Sequence, residues 1–156
     1  MQKLDKWIEI DVDAVRNNLE QVRSILDEKT ILIAVIKAEA YGHGARDIAR
    51  LLHQQGVDFF AVTFLYEALQ LRKAGIPSNI LVFSPLVDEE QVAEAIENSI
   101  TITIASREEA ERLIKVTQEL RKTATLHLKL DTGLGRFGLS SPELIDLAQE
   151  LNSCNN

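Results

Sequence analysis

The 156-residue sequence has little cysteine, few aromatic residues and no long apolar run. Its single cysteine, Cys154, cannot form a disulfide within the chain, which favours a reducing compartment such as the cytoplasm. No apolar stretch is long enough to span a bilayer, and residues 1–6 lack the apolar character of a signal peptide. These absences argue against a membrane protein and against a disulfide-framed secreted domain.

Basic residues are also fewer than acidic residues. The sequence has 17 Lys and Arg against 24 Asp and Glu, a formal net charge of −7. Because basic and aromatic side chains are not interleaved, nucleic acid is not an expected partner. With 46% hydrophobic and 26% charged residues, and no repeat or flexible linker, the composition is typical of one soluble α/β unit.

Short apolar segments alternate with stretches of helical periodicity. The predicted strands cover residues 31–36, 59–63, 80–83, 101–104 and 125–130. A further short strand is predicted over residues 7–11, followed by a helix with apolar residues at helical spacing from Val12 to Leu26. Capping patterns predict helix starts at Asp88 and Ser106, and Pro142 is expected at the first position of a final helix. The alternation indicates βαβ units around a parallel sheet.

A lysine and a glycine-rich turn follow the strand 31–36, in the segment Ala34-Val35-Ile36-Lys37-Ala38-Glu39-Ala40-Tyr41-Gly42-His43-Gly44. Lys37 stands at the carboxyl end of the strand, where α/β folds place their chemistry. Burial disfavours an ammonium, and a neutral amine is the nucleophile that forms a Schiff base with a carbonyl cofactor. The alternative is that Lys37 only marks the point where the strand reaches solvent.

A second glycine-rich turn follows the strand 125–130, in the segment Leu126-His127-Leu128-Lys129-Leu130-Asp131-Thr132-Gly133-Leu134-Gly135-Arg136-Phe137-Gly138. Taken alone, Asp131 and Arg136 could be an ordinary surface ion pair worth about 0–1 kcal/mol. Thr63 and Ser84, at other strand ends, could line a pocket or cap the following helices.

Metal binding is not indicated, since His43, His53 and His127 lack metal-ligand spacing. His53 lies on a helical stretch and is expected at the surface.

Both segments resemble signatures of the pyridoxal-phosphate-dependent alanine racemases. The first resembles A-V-x-K-A-x-A-Y-G-H-G, the second resembles H-L-K-x-D-T-G-M-x-R-x-G, and residues 7–11 resemble the W-x-E-I-D start of the family. The resemblance implies that Lys37 carries the cofactor and acts as the base on the D-face. It also implies that Tyr41 contacts the cofactor phosphate and that Arg136 contacts the phenolic oxygen and the substrate carboxylate. Lys129 would correspond to the lysine that many members carry as a carbamate.

The implied fold is a (β/α)₈ barrel, which requires about 250 residues. Residues 1–156 are therefore expected to form the amino-terminal portion of the pyridoxal-phosphate-binding barrel domain, a partial TIM-type barrel with about five of its eight strands, preceded by a short strand and helix. The C-terminal barrel strands and the β domain would be absent. The implied activity is interconversion of L- and D-alanine for peptidoglycan synthesis, by a homodimer that binds neither nucleic acid nor membrane. In the family the base on the other face is a tyrosine from the partner subunit's second domain, so we expect little or no activity from this chain alone.

Other functions stay open. The chain could be a non-catalytic half-barrel that needs a complementary chain, because an open parallel sheet has two unpaired edges and favours self-association. It could also be a barrel protein of pyridoxal-phosphate homeostasis, although that family lacks the turn at residues 41–44. Racemases of other amino acids share both motifs.

Overall fold

The computed structural model describes residues 6–153, and these form a parallel sheet covered by helices. The strands are β1 (Ala34–Val35), β2 (Phe59–Val62), β3 (Asn79–Val82), β4 (Thr101–Ile104) and β5 (Leu126–Leu128). The helices are α1 (Val12–Ser24), α2 (Lys37–Gly42), α3 (Ala45–Gln54), α4 (Leu65–Lys73), α5 (Glu89–Glu97), α6 (Arg107–Leu120) and α7 (Ser141–Ser153). None of these helices combines the length and apolarity that crossing a bilayer requires.

The five strands pair in their order along the chain, β1-β2-β3-β4-β5, and every pairing is parallel. Phe60 pairs with both Ala34 and Ile80, and Ile102 pairs with both Val82 and Leu126. A parallel neighbour requires a crossover connection, and helices supply these crossovers here. The predicted α/β class and the five strands of a partial barrel are therefore confirmed.

The core lies between the sheet and its helices. Phe60, Ile80 and Ile102 on the strands are at most 1% exposed, and alanines at helix positions such as Ala68 and Ala110 are completely buried. Small residues on the helices let them approach the strands closely. Each large apolar side chain buried in this way contributes about 1.5–3 kcal/mol relative to an exposed one.

The predicted helix starts agree closely with the structure. The Asp88 carboxylate accepts a hydrogen bond from Gln91 N–H at 2.8 Å, and Ser106 Oγ accepts one from Glu109 N–H at 3.3 Å. Helix α7 begins at Ser141, so Pro142 occupies the second helical position instead of the first. A shift of one residue is common at helix ends.

The predicted strand at residues 7–11 is wrong. These residues carry no strand, and Trp7 and Ile8 are 68% and 74% exposed. Extended chain needs a neighbouring strand to satisfy its backbone, and no strand within residues 6–153 pairs with this segment. Asp11 instead caps α1, since its carboxylate accepts hydrogen bonds from the N–H groups of Asp13 and Ala14. The predicted strand 31–36 is likewise reduced to the two residues of β1.

Candidate functional site

A cleft of about 570 Å³ opens where the strands end. The five strands contribute residues at or just beyond their carboxyl ends, and the turn after β5 supplies two more. The lining residues are Lys37, Thr63, Leu81, Phe83, Ser84, Thr103, His127, Leu128, Lys129, Arg136 and Phe137. Because carboxyl ends of parallel strands meet at one edge of the sheet, segments far apart in the sequence converge here.

The charges that line the cleft are all positive. Lys37, Lys129 and Arg136 line it, and no Asp or Glu does. Within residues 6–153, none of these three side chains forms a salt bridge. Lys37 is half-buried. Three cations that form no salt bridge in this part of the chain are the arrangement expected for an anionic ligand.

Lys37 is followed by a left-handed turn. Residues 38–41 have φ between 50° and 56° and ψ between 36° and 53°, although none of them is glycine. A left-handed conformation costs roughly 1–2 kcal/mol for each such residue, so four in succession require support from their surroundings. Gly42 extends the run of positive φ with a value of 91°, His43 returns to a φ of −85°, and Gly44 precedes α3 with a φ of 87°.

Several hydrogen bonds support this turn. Ala38 N–H donates to Glu67 Oε1 at 2.6 Å, and the Glu39 carboxylate accepts from Ala45 N–H at 3.1 Å. His43 Nδ1 lies 2.8 Å from the Ala40 carbonyl oxygen, which fits donation from the ring. Ala40 is itself 6% exposed. His43 thus stabilises the turn from outside the cleft. Strain of this kind is characteristic of functional sites.

A second turn presents Arg136, and Asp131 organises it. The Asp131 carboxylate accepts hydrogen bonds from the N–H groups of Gly133 at 2.9 Å and Gly135 at 3.1 Å. The Gly135 and Gly133 N–H groups, helped by Leu134 N–H and the Lys129 charge, hold the pKa of Asp131 below its ordinary value. Asp131 therefore binds its own turn and is not the surface partner of Arg136 that its spacing allowed.

The ends of this turn are held together by the backbone. Leu139 N–H donates to the Lys129 carbonyl at 2.8 Å, and Asp131 N–H donates to the Leu139 carbonyl at 3.0 Å. At Gly138 the backbone passes so close that an added Cβ would lie 2.7 Å from Asp131 N. Lys129 Nζ lies 5.4 Å from the centre of the Phe137 ring, a cation–π distance.

The structure brings together three of the four residues that the resemblance singles out: Lys37, Lys129 and Arg136. Tyr41 lies on the left-handed turn, 62% exposed, and is not among the residues that line the cleft. Thr63 and Ser84 line the cleft. The contact of Tyr41 with a phosphate stays a prediction.

Sequence reasoning did not single out some lining residues. His127 packs edge-on against Phe59 with 6.0 Å between ring centres, and Thr103 donates from its hydroxyl to the Val82 carbonyl at 2.7 Å. The spacing of two residues between His127 in β5 and Lys129 just after it was a signal that both face the same side. His53, expected at the surface, is half-buried at the other end of the sheet, with Nδ1 2.9 Å from Ser78 Oγ.

Comparison with known proteins finds relatives along nearly the whole chain. A family model described as "Alanine racemase, N-terminal domain" matches residues 10–156. An alanine racemase of Methanococcus maripaludis is 41% identical over 151 residues, which cover 94% of this chain and 40% of that protein.

Solved structures show the same likeness. The alanine racemase of Bacillus anthracis with bound L-Ala-P superposes with a TM-score of 0.87 at 32% identity, covering 99% of this chain and 40% of that one. A histidine racemase of Leuconostoc mesenteroides superposes with a TM-score of 0.82 at 30% identity, covering 92% of this chain and 38% of that one. The chain thus spans about 40% of the length of these relatives. With the family model covering residues 10–156 and the relatives matching nearly all of this chain, it belongs to the alanine racemase family.

Proposed function

We propose that residues 1–156 supply the amino-terminal part of a pyridoxal-phosphate-binding barrel domain, in an isomerase that interconverts L- and D-alanine for peptidoglycan synthesis. The observation that carries the proposal is the convergence of Lys37, Lys129 and Arg136 on one cleft without a carboxylate. A fixed positive lining favours both the phosphate of the cofactor and the carboxylate of an amino acid.

The cleft fits such a cofactor in size and in chemistry. Its volume of about 570 Å³ is in the range of small-molecule sites. Leu81, Phe83 and Leu128 offer apolar walls for a flat ring, and the hydroxyl of Ser84 offers a polar contact. When bound, pyridoxal phosphate supplies the electron sink that acidifies the α-hydrogen of an amino acid. The cofactor and the chemistry of this chain are thus compatible.

Different residues of the chain are proposed to have different roles. Lys37 is proposed to hold the cofactor covalently and to exchange the α-proton on the D-face through its Nζ. Arg136 is proposed to bind the substrate carboxylate and the phenolic oxygen through its planar fork of donors. Tyr41 is proposed to contact the phosphate from the turn that follows Lys37. The base on the other face is assigned to a tyrosine of a partner subunit's second domain, so we propose a homodimer for the complete enzyme.

Lys129 is proposed to carry a carbamate. As an ammonium it adds to the positive charge of Lys37 and Arg136 in the same cleft. Loss of a proton to solvent gives the neutral amine, and addition of CO₂ to that amine with release of a second proton would give a carbamate anion that attracts the Arg136 guanidinium. The Phe137 ring, 5.4 Å from Nζ, favours the ammonium form and therefore opposes the conversion. Mass spectrometry under native conditions with ¹³C-labelled bicarbonate distinguishes the two forms.

The test of the proposal is to find where the cofactor attaches. The purified chain is incubated with pyridoxal phosphate, reduced with borohydride and digested, and the labelled peptide is sequenced. We expect the label on Lys37, its loss in Lys37→Ala, and its retention in Lys73→Ala, a control at an exposed lysine on α4. A label on another side chain would refute the assignment.

Racemase activity is expected to be low or absent in the chain alone. Turnover of alanine that disappears in Lys37→Ala would contradict this second expectation.

A second proposal is that the chain acts as one half of a barrel. It is supported by the open sheet, in which β1 and β5 each pair with one neighbour only among residues 6–153. Mixing the chain with the carboxyl-terminal part of a related racemase should then restore activity and cofactor absorbance together.

Alanine is the proposed substrate, and L-histidine is the competitor to assay in parallel because a histidine racemase is among the structural relatives. The lone cysteine is consistent with work in the cytoplasm.

A further inference from the structure

The four helices that follow β2, β3, β4 and β5 carry a glutamate or glutamine at their third position. In each case this side chain bonds back to a backbone N–H of the loop that precedes its own helix. The residues are Glu67 in α4, Gln91 in α5, Glu109 in α6 and Glu143 in α7. Such a bond satisfies an N–H group that the helix itself leaves without a partner.

Glu67 differs from the other three in making a contact outside its own loop. Its Oε2 accepts from Thr63 N–H at 2.9 Å and from Phe64 N–H at 2.8 Å, which completes the local arrangement. Its Oε1 is then free to accept from Ala38 N–H at 2.6 Å, which belongs to a segment 29 residues earlier. Glu67 is only 9% exposed, and it has no cationic partner within residues 6–153. All of its hydrogen bonds in this part of the chain are to backbone N–H groups.

The Ala38 N–H belongs to the peptide that follows Lys37. On the other side of Lys37, Ile36 N–H donates to the Ala61 carbonyl at 2.9 Å and fixes that residue to β2. The chain is therefore attached to the β2-α4 unit on both sides of Lys37, since the Val35–Ile36 peptide bonds to β2 and the Lys37–Ala38 peptide bonds to Glu67. Because backbone dihedrals set the direction of the Cα–Cβ bond, these two attachments determine where the Lys37 side chain starts.

Ala38 is also the first residue of the strained left-handed turn. Its φ of 50° and ψ of 53° are unfavourable for a residue with a Cβ. A short, charge-assisted hydrogen bond to a carboxylate that is itself buried is one of the stronger single contacts available to hold such a conformation. The turn therefore has a specific support at the peptide adjoining the reactive lysine.

We infer that Glu67 is a positioning residue for Lys37: its buried carboxylate holds the peptide after Lys37 and thereby directs the amine into the cationic cleft. The inference rests on the proposed function, in which Lys37 binds the cofactor. Glu67 itself does not line the cleft and takes no part in proton transfer. Its effect is to keep the chain in the conformation that can bind.

The experiment compares Glu67→Gln with Glu109→Gln in the 156-residue chain. Glutamine has the same shape but only one accepting oxygen, so Glu67→Gln cannot satisfy both the local N–H groups and Ala38 N–H. Glu109→Gln alters an equivalent contact, with Ala105 N–H at 2.7 Å, which does not touch the Lys37 segment. The two readouts are amide hydrogen exchange at residue 38 and the dissociation constant of pyridoxal phosphate measured from its absorbance.

In Glu67→Gln we expect Ala38 N–H to exchange at least about tenfold faster, as for loss of one charge-assisted hydrogen bond. The dissociation constant of pyridoxal phosphate should rise in proportion to the loss of the binding conformation, again about tenfold. In Glu109→Gln the amide oxygen can still accept from Ala105 N–H, so we expect at most a small change in exchange at Ala105 and no change in exchange at Ala38 or in cofactor affinity.

Wild-type exchange at Ala38 and wild-type cofactor affinity in a folded Glu67→Gln would overturn the inference. If Glu67→Gln does not fold, Glu67→Asp replaces it, since the shorter side chain keeps its charge but cannot span both sets of N–H groups. Unchanged values in that variant would be equally decisive against the role. If the wild-type chain does not take up the cofactor at Lys37, the proposed function fails, while exchange at Ala38 still tests whether Glu67 holds the turn.

Discussion

At the scale of single residues, the Asp131 carboxylate organises the turn that carries Arg136. Its pKa is held below the ordinary value of 3.8, chiefly by the N–H groups of Gly135 and Gly133. A carboxyl group with a lowered folded-state pKa stabilises the fold above its unfolded-state pKa, and loses that effect as the pH falls through the folded-state value. The contribution of Asp131 is thus complete at neutral pH and disappears in acid.

We predict that Asp131→Asn lowers the free energy of unfolding at pH 7 and that the difference from wild type shrinks as the pH falls below about 4. Urea unfolding at a series of pH values measures this difference. Asp146→Asn is the control, because the Asp146 carboxylate accepts no hydrogen bond within residues 6–153. An Asp131→Asn difference that stays constant down to pH 2 would show that charge has no part in holding the turn.

Gly138 permits the close passage of the two ends of the same turn. A Cβ at this position would lie 2.7 Å from Asp131 N, and φ is 139°. We predict that Gly138→Ala destabilises the chain by about 1–3 kcal/mol, through strain and displacement of the backbone. Gly133 also has a positive φ, 111°, but nothing lies within 4 Å of a Cβ added there. Gly133→Ala should therefore lower the free energy of unfolding by less than Gly138→Ala does. Equal losses in thermal or urea unfolding would contradict the role of close approach.

The cleft residues could be predicted from sequence to the extent that they follow strands. Lys37 and Lys129 stand at strand ends in the sequence itself, and the sheet brings them together. Glu67 could not be found in this way, because its contact with Ala38 joins segments 29 residues apart and depends on how α4 packs. The exposed location of Tyr41 was equally hidden, since Tyr41 is itself part of the left-handed turn at residues 38–41.

At the scale of secondary structure elements, β2, β3 and β4 could be predicted almost to the residue because each is an apolar run between helical patterns. Residues 7–11 have the same local pattern, yet they lack a neighbouring strand within the described part of the chain. The left-handed turn at 38–41 could not be predicted, since Ala and Glu favour right-handed helices. Strand pairing and the handedness of a turn both depend on contacts between distant segments. A local sequence pattern does not show these contacts.

Arg72 joins two loops at the amino-terminal edge of the sheet, the α4-β3 loop and the α5-β4 loop. Its guanidinium donates to the carbonyl oxygens of Ile76 and Ser78, both at 2.7 Å, and to those of Asn98 and Ser99, both at 3.0 Å. Desolvation by burial lowers the pKa of Arg72 from its ordinary value. Because the four acceptors are neutral carbonyl oxygens, these hydrogen bonds depend on the directions of the guanidinium N–H groups and not on pairing with an opposite charge.

We predict that Arg72→Lys destabilises the chain by about 1–3 kcal/mol, because an ammonium cannot reach the carbonyl oxygens of both loops together. Arg50→Lys is the matched control, since Arg50 makes one hydrogen bond to a carbonyl, that of Ala74 at 3.2 Å, within residues 6–153. The control should remain within about 0.5 kcal/mol of wild type. Urea unfolding compares the two variants, and an equal effect would argue against the fork of Arg72 as the cause.

At the scale of the whole molecule, the sheet has two open edges in the described part of the chain. The Thr125 carbonyl and the Lys129 N–H bond to β4, so alternation directs the N–H and carbonyl groups of Leu126 and Leu128 away from it. Such groups can pair with a second chain. We therefore predict concentration-dependent self-association, measured by sedimentation velocity.

Leu128→Pro removes one outward N–H without removing a bond to β4, and it should weaken the association. Thr123→Pro, in the loop before β5, is the control for the proline itself. A wild-type chain that stays monomeric at all concentrations, or equal self-association of the two variants, would show that the β5 edge does not mediate association.

The uneven charge of the molecule has a kinetic consequence. The chain as a whole carries −7, whereas its cleft gathers positive side chains and no acid. Small anions are thus repelled by most of the surface and drawn toward one opening, so electrostatic steering guides their encounter with the cleft. Added salt shortens the reach of this field to about 10 Å at 0.1 M and slows capture, while release from the cleft is governed by contacts at close range.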